Sequence, residues 1–289
     1  MRTIVLTGAS DGIGAAAAER LAGDSVRLVV VGRSPEKTRS VAGRVGAEHH
    51  VADFTRLDEV RDLAAELDGT LDRIDVLANN AGGFFAGPVR TEDGFEKTFQ
   101  VNHLAPYLLT NLLREKLVAS GASVVATASV ANIVYARLDL DDIESLSDFR
   151  PDRAYGNAKL ANILFTRGLH AALHRHGVSS VAFHPGVVAT SFGGETSGLL
   201  RRMYHGALRP LLTRPARGGA TLAHFVDGTP GTTWESGRYY NDRRRPGLLN
   251  RAAKDPATVR QHWEMSAQML GVDWSLDTVD SPDDGAAPA

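Results

Sequence analysis

Short apolar runs rich in β-branched residues alternate along this chain with segments of helical period, and that alternation leaves few folds open. Residues 3–7, 26–31, 47–51, 75–79, 123–127, 179–184 and 237–240 have strand composition. Residues 12–22, 35–45, 57–67, 94–118 and 155–176 carry helical patterns between them. Ser34 stands before Pro35 as an N-cap, and an interruption is expected near Pro106. Strands that alternate with helices are joined by right-handed crossovers and pair in parallel. A strand as continuously apolar as residues 26–31 suits a sheet covered on both faces. The expected architecture is α/β: one doubly wound parallel sheet of about seven strands, with helices on both faces. Residues 1–275 are expected to form a single domain, and the small, polar residues 276–289 a flexible tail.

Composition narrows the chemistry. The chain has 289 residues, 43% of them hydrophobic, the makeup of an ordinary globular domain. A formal net charge of -2 argues against a nucleic-acid partner, which requires a basic excess. Cysteine is absent, so there is no disulfide framework and no thiolate metal site, in keeping with a cytoplasmic location. The N-terminal apolar run is too short for a signal core. No stretch approaches bilayer length, so no transmembrane segment is expected.

The turn after the first strand reads Thr7-Gly8-Ala9-Ser10-Asp11-Gly12-Ile13-Gly14 and runs straight into a helical pattern. Gly8 permits a tight exit from the strand, Gly12 lets a phosphate approach the backbone, and Gly14 allows close helix–sheet packing. Free N–H groups and the positive dipole end at the helix start suit a pyrophosphate. Gly8, Ser10, Asp11, Gly12, Ile13 and Gly14 are therefore candidate coenzyme contacts. The second strand separates two coenzymes. An acid at its end would accept a hydrogen bond from a ribose 2′-hydroxyl and repel a 2′-phosphate. Here it ends Val30-Val31-Gly32-Arg33, with no acid and with a guanidinium suited to phosphate. NADP(H) is the expected coenzyme, with NAD(H) possible.

Tyr155-Gly156-Asn157-Ala158-Lys159 places a phenol and an ammonium four residues apart, on one face of a helix. A free tyrosine titrates near ~10, too high for an efficient base at neutral pH. A neighbouring cation favours the phenolate, and such a phenol can exchange a proton with a substrate oxygen.

Together these features resemble the short-chain dehydrogenase/reductase superfamily, over about residues 3 to 270. The spacing Thr-Gly-x-x-x-Gly-Ile-Gly is similar to that family's fingerprint and differs from the commoner Gly-x-Gly-x-x-Gly. Asn79-Asn80-Ala81-Gly82, then Asn102 in Val101-Asn102-His103-Leu104, then Ser129 in Ala126-Thr127-Ala128-Ser129 follow in the family's order. Leu160-Ala161-Asn162-Ile163-Leu164-Phe165-Thr166 after Lys159, the Gly237-Arg238-Tyr239-Tyr240 strand, the Trp263-Glu264 helix and the long insert between Ser129 and Tyr155 are similar to the retinol-dehydrogenase-like branch.

The resemblance implies a Rossmann-type fold and an oxidoreductase that interconverts a carbonyl and an alcohol by hydride transfer. It implies that Ser129 orients the carbonyl oxygen and that Tyr155 donates the proton as hydride arrives from the nicotinamide. Lys159 would hold the nicotinamide ribose and acidify Tyr155, and Asn102 would position a water relaying protons toward Lys159. Fixed donors aimed at the developing oxyanion would supply most of the rate advantage. Asp53, Phe54, Asn79, Ala81, Gly82, Pro185, Gly186, Val188 and Thr190 join Tyr155 and Lys159 as implied coenzyme contacts. Residues 190–219 are implied to be a substrate lid. The implied substrate is a small apolar carbonyl or alcohol, and a homo-oligomer formed through the long helices is an analogy. Two departures stand out: Ala128 replaces a frequent second serine, and Asp11 occupies a position where many NADP-preferring relatives carry a base.

Other patterns have plainer readings. His170 and His174 share a helix face but lack a third ligand, so no metal is expected. His49-His50 reads as structural and Arg243-Arg244-Arg245 as a surface turn. The basic amphipathic stretch 199–217 would suit a membrane surface, but a lid accounts for it better. Two further functions compete: a non-catalytic NADP(H)-binding sensor or scaffold, which would not need Tyr155 and Lys159, and a reductase of activated C=C bonds.

Overall fold

The computed structural model describes residues 1–186 and 215–276. Its first half comprises β1 (Arg2–Thr7), α1 (Gly12–Leu21), β2 (Val26–Gly32), α2 (Pro35–Val45), β3 (Glu48–Val51), α3 (Leu57–Thr70) and β4 (Val76–Asn79). The second begins with α4 (Lys97–Phe99), a π-helical turn (Gln100–Leu104) and α5 (Ala105–Leu112). There follow α6 (Arg114–Ser120), β5 (Ser123–Thr127), α7 (Ala131–Val134), α8 (Pro151–Leu173) and β6 (Ser179–Phe183). The described residues end with α9 (Pro215–Asp227), β7 (Arg238–Tyr240) and α10 (Pro256–Leu270).

The strands form one parallel sheet in the order β3-β2-β1-β4-β5-β6-β7, the expected doubly wound architecture. Alternate residues of β1 feed different cores. Val5 packs with α3, α5, α8 and α10 on one face, while Ile4 and Leu6 pack with α1, α2 and α9 on the other. Each fully buried aliphatic side chain contributes roughly 1.5–3 kcal/mol, so a sheet covered twice is held chiefly by these two cores. The strand order reverses between β1 and β4, which opens a crevice at their carboxyl ends where ligands bind in sheets of this kind.

Local chemistry explains the element ends. The Ser34 side chain accepts from Lys37 N at the start of α2, and Gly46 takes the left-handed conformation at its end. The interruption expected near Pro106 is a π turn just before it, and Pro106 itself sits in the first turn of α5. Proline has no N–H for the helical bond to residue 102, so the preceding turn widens. The helix expected from Tyr155 begins earlier, at Pro151, because a proline in the first turn loses nothing there.

Candidate active site

The crevice floor is a set of hydrogen bonds joining the ends of three strands. Thr7 Oγ1, fully buried at the end of β1, donates to the Ala78 carbonyl and accepts from the N–H groups of Asn80 and Ala81. Asn80 Nδ2 donates to the Thr7 and Gly8 carbonyls, and its Oδ1 accepts from Thr127 Oγ1 at 3.1 Å. Gly8 has φ +65, and a Cβ there would lie 2.7 Å from Ala81 Cα. Any larger residue would push the first turn off β4. Gly14 is equally constrained, since its Cβ would fall 2.1 Å from the Gly8 carbonyl oxygen. These contacts aim the N-terminus of α1 into the crevice, and its backbone donors and dipole fit a dinucleotide pyrophosphate.

Lys159 lies beyond this floor, on α8. It is 2% exposed, and its Nζ donates to the Thr127 carbonyl at 3.2 Å. Asn162 Nδ2, one turn along, donates to the same carbonyl. Burial pulls the Lys159 ammonium down to about 7, because a charge is costly where water is excluded. Its Nζ stands 5.6 Å from the centre of the Tyr155 ring. A Cβ on Gly82 would sit 3.1 Å from Lys159 Nζ and 2.5 Å from Asn102 Oδ1, so the lack of a side chain lets both groups meet the crevice.

Asn102 sits within the π turn and is fully buried. Its Nδ2 donates to the Gly83 and Thr98 carbonyls, and its Oδ1 accepts from Gly83 N. The amide side chain is thus committed to the 82–83 loop. Its own carbonyl lacks the ordinary helical donor, because Pro106 stands four residues on.

Ser129 follows β5, two residues beyond the carbonyl that holds Lys159. Its Oγ accepts from Ala131 N at 3.2 Å, and its carbonyl accepts from Asn132 Nδ2. The next segment packs against the residue after Tyr155: a Cβ on Gly156 would lie 2.7 Å from Ala136 N and 2.9 Å from the Ala131 carbonyl oxygen. Phe84 faces the Tyr155 ring at 5.6 Å between centroids. Asn102, Ser129, Tyr155 and Lys159 therefore share one end of the sheet.

The remaining expected contacts distribute unevenly. Gly12 has φ +57 at the head of α1, and Ile13 behind it packs partly against the core. Ser10 abuts Gly32, where a Cβ would come 2.7 Å from Ser10 Cβ. Arg33 is exposed. Asp53 Oδ1 accepts from Thr55 N and shapes the turn after β3. The Phe54 side chain belongs to the core, and Asn79 Nδ2 is turned to Thr110 Oγ1, so neither side chain faces the crevice. Pro185 and Gly186 (φ 96) form the turn after β6, where His184 N donates to the Tyr240 carbonyl. Val188, Thr190 and most of the expected lid lie outside the described residues.

The sequence reading passed over Thr7, Asn80 and Thr127 as functional positions. All three lie within motifs that point to their neighbours, and no local signal marks the bonds among them. A cavity of about 200 Å³ lined by Arg114, Ala172, Leu173, Arg175 and Trp274 lies at the far end of α8. It is roughly 25 Å along the helix from Tyr155, so it plays no part in this site. Among the described residues there is no cluster able to hold a metal, and no helix is long and apolar enough to cross a membrane. His170 and His174 stack on each other at 4.4 Å, and His170 Nδ1 pairs with Ser236 Oγ.

The fold and site define a dinucleotide-dependent oxidoreductase. Residues 2–139 match the family model for short chain dehydrogenases. The chain is 38% identical over 277 residues to DnrU of Streptomyces sp. (strain C5), assigned as a daunorubicin C-13 ketoreductase, covering 93% of each protein. It is 32% identical to retinol dehydrogenase 14 of Mus musculus, covering 94% of this chain and 86% of the relative. A crystal structure of an uncharacterized protein from Mycobacterium Paratuberculosis superposes with a TM-score of 0.74 at 28% identity, covering 96% of each chain. The chain belongs to the short-chain dehydrogenase family, in its retinol-dehydrogenase-like branch, and is an enzyme acting on CH–OH groups with NAD(P).

Proposed function

We propose that this enzyme is an NADP(H)-dependent reductase of bulky apolar ketones or aldehydes, with Tyr155 as the proton donor. The observation that carries this reading is the buried Lys159 ammonium, anchored on the Thr127 carbonyl 5.6 Å from the Tyr155 ring and open to the crevice across Gly82. A cation so placed favours the phenolate that Tyr155 becomes when it gives its proton to the substrate oxygen. Ser129 Oγ orients that oxygen and donates to the charge that develops on it. The Asn102 carbonyl, lacking its helical donor, holds the water that returns protons toward Lys159. The coenzyme, when bound, supplies the hydride. Arg33, with no acid at the end of β2, favours the 2′-phosphorylated form.

Support for an apolar substrate comes from the rim. Phe84 backs Tyr155, and Val130 and Val134 are exposed one turn apart just after Ser129. Relatives named for daunorubicin and for retinol agree with that rim. The test is coenzyme oxidation with NADPH and NADH in parallel, against aldehydes, ketones and enones. Faster NADPH consumption with bulky ketones or aldehydes is expected. Turnover of enones alone would reassign the reaction. Tight NADPH binding without any turnover would favour a sensor.

A further inference from the structure

Asp11 stands as an objection to a 2′-phosphorylated coenzyme, because it brings a carboxylate to the crevice mouth. The structure answers it with a residue the sequence did not single out. Both carboxylate oxygens of Asp11 are engaged. One carboxylate oxygen accepts from Gly12 N at 2.7 Å and caps α1. The other pairs with Lys37 Nζ at 3.0 Å, across 26 residues of sequence. Lys37 stands in the first turn of α2, where Ser34 fixes its backbone, and its side chain is 59% exposed.

The neighbourhood of that pair is closed below and open above. A Cβ on Gly32 would lie 2.7 Å from Ser10 Cβ and 2.5 Å from Thr38 Oγ1, so the glycine turn and the start of α2 touch at the end of β2. Arg33 leaves from the next position and makes no hydrogen bond or ion pair with the described residues. Two cations therefore flank one mouth. One is tethered to a carboxylate, and the other is available to an anion. An exposed ion pair of this kind is worth little, up to about 1 kcal/mol, so an arriving phosphate dianion can compete for the ammonium.

Resting on the NADP(H) reading above, we propose that Lys37 is a second determinant of coenzyme choice: it cancels the Asp11 charge in the free enzyme and donates to the 2′-phosphate in the complex. Asp11 is then a built-in restraint on that choice. It holds the cation at the mouth but competes with the ligand for it.

The test is direct binding, read from nicotinamide fluorescence, of NADPH and NADH to the full chain and to Lys37→Gln, Asp11→Asn and the double variant. Asparagine caps a helix as well as aspartate, so Asp11→Asn keeps α1 intact. Lys37→Gln should weaken NADPH by about tenfold, the value of a charge-assisted hydrogen bond, and leave NADH within about twofold. Asp11→Asn should tighten NADPH severalfold. The double variant decides between direct contact and mere neutralisation. If Lys37 contacts the phosphate, the double variant binds NADPH about tenfold more weakly than Asp11→Asn. Recovery of the Asp11→Asn affinity in the double variant would overturn the contact. So would a loss shared equally by NADPH and NADH in Lys37→Gln, or no loss at all. The parent enzyme's own NADPH-to-NADH ratio tests the coenzyme reading separately: a parent that prefers NADH sinks that reading, whatever the variants do.

Discussion

Lys159 and Lys37 are the same residue type held in place by opposite means. Lys159 is almost wholly buried, fixed by the backbone carbonyl of Thr127, and has no carboxylate partner among the described residues; burial alone drags its ammonium down to about 7. Lys37 is more than half exposed and fixed by a carboxylate. The buried cation is positioned by the fold and makes the fold less stable. The exposed cation is positioned by charge and costs almost nothing. The first environment suits chemistry that needs a defined proton affinity, and the second suits recognition that must yield to a ligand.

The largest effect should come from the phenol that the buried cation serves. Tyr155→Phe should lower turnover by about a thousandfold, within the range for a lost general acid, with NADPH affinity unchanged. Stopped-flow measurement of hydride transfer checks it, and a loss below about tenfold would remove Tyr155 from the proton step. Next comes the cost of burying Lys159. Between pH 7 and 10.5 the unfolded chain keeps a proton on this lysine that the folded chain has released. The unfolded state then binds more protons, so this residue makes stability rise with pH across that window. Lys159→Met removes the effect. Without coenzyme, the variant should melt above the parent near pH 7, and the gap should close toward pH 10.5. A gap independent of pH would mean that Lys159 stays charged in the fold.

A smaller loss should follow at the floor that separates the two lysines. Thr7→Val keeps the shape of β1 but removes the oxygen that serves the Asn80 and Ala81 N–H groups. Ala81 N–H left without its acceptor, with Asn80 N–H keeping only the Ala78 carbonyl, should cost about 1–2 kcal/mol in chemical denaturation. An unchanged midpoint would show that water replaces the hydroxyl and that the floor is wetter than its packing suggests.

Much of this was legible in the sequence, for a reason the two lysines illustrate. The glycine turn and the Tyr155–Lys159 spacing are local: one strand exit and one helical turn bring their groups together, so a short window contains the geometry. The central strands were legible because they are apolar runs, whereas β3, Glu48-His49-His50-Val51, is mostly exposed and is marked chiefly by its place in the alternation. The Thr7, Asn80 and Thr127 stitches were not, since they join residues 47 to 73 positions apart and depend on strand order. The Asp11–Lys37 pair has the same character: it joins residues 26 positions apart, so neither local window contains it. An interruption near Pro106 was legible, but its form as a π turn was not, because the missing N–H of the proline acts one turn earlier, at Asn102. The sequence also does not show that the Phe54 side chain joins the core or that Asn79 Nδ2 turns to Thr110.

The smallest effect follows from the exposure of Lys37. Charges at the surface are screened over about 10 Å at 0.1 M salt, and buried ones far less. If a preference for NADPH over NADH rests on Arg33 and Lys37 as proposed, it should fall a few-fold as salt rises from about 0.05 to 0.5 M, while NADH affinity changes little. Lys37→Gln should flatten that dependence, since one of the two screened cations is gone. If the buried Lys159 governs the proton step as proposed, that step should keep its pH profile across the same salt range. A preference indifferent to salt would place the determinant of coenzyme choice in the interior and erase the contrast between the two cations.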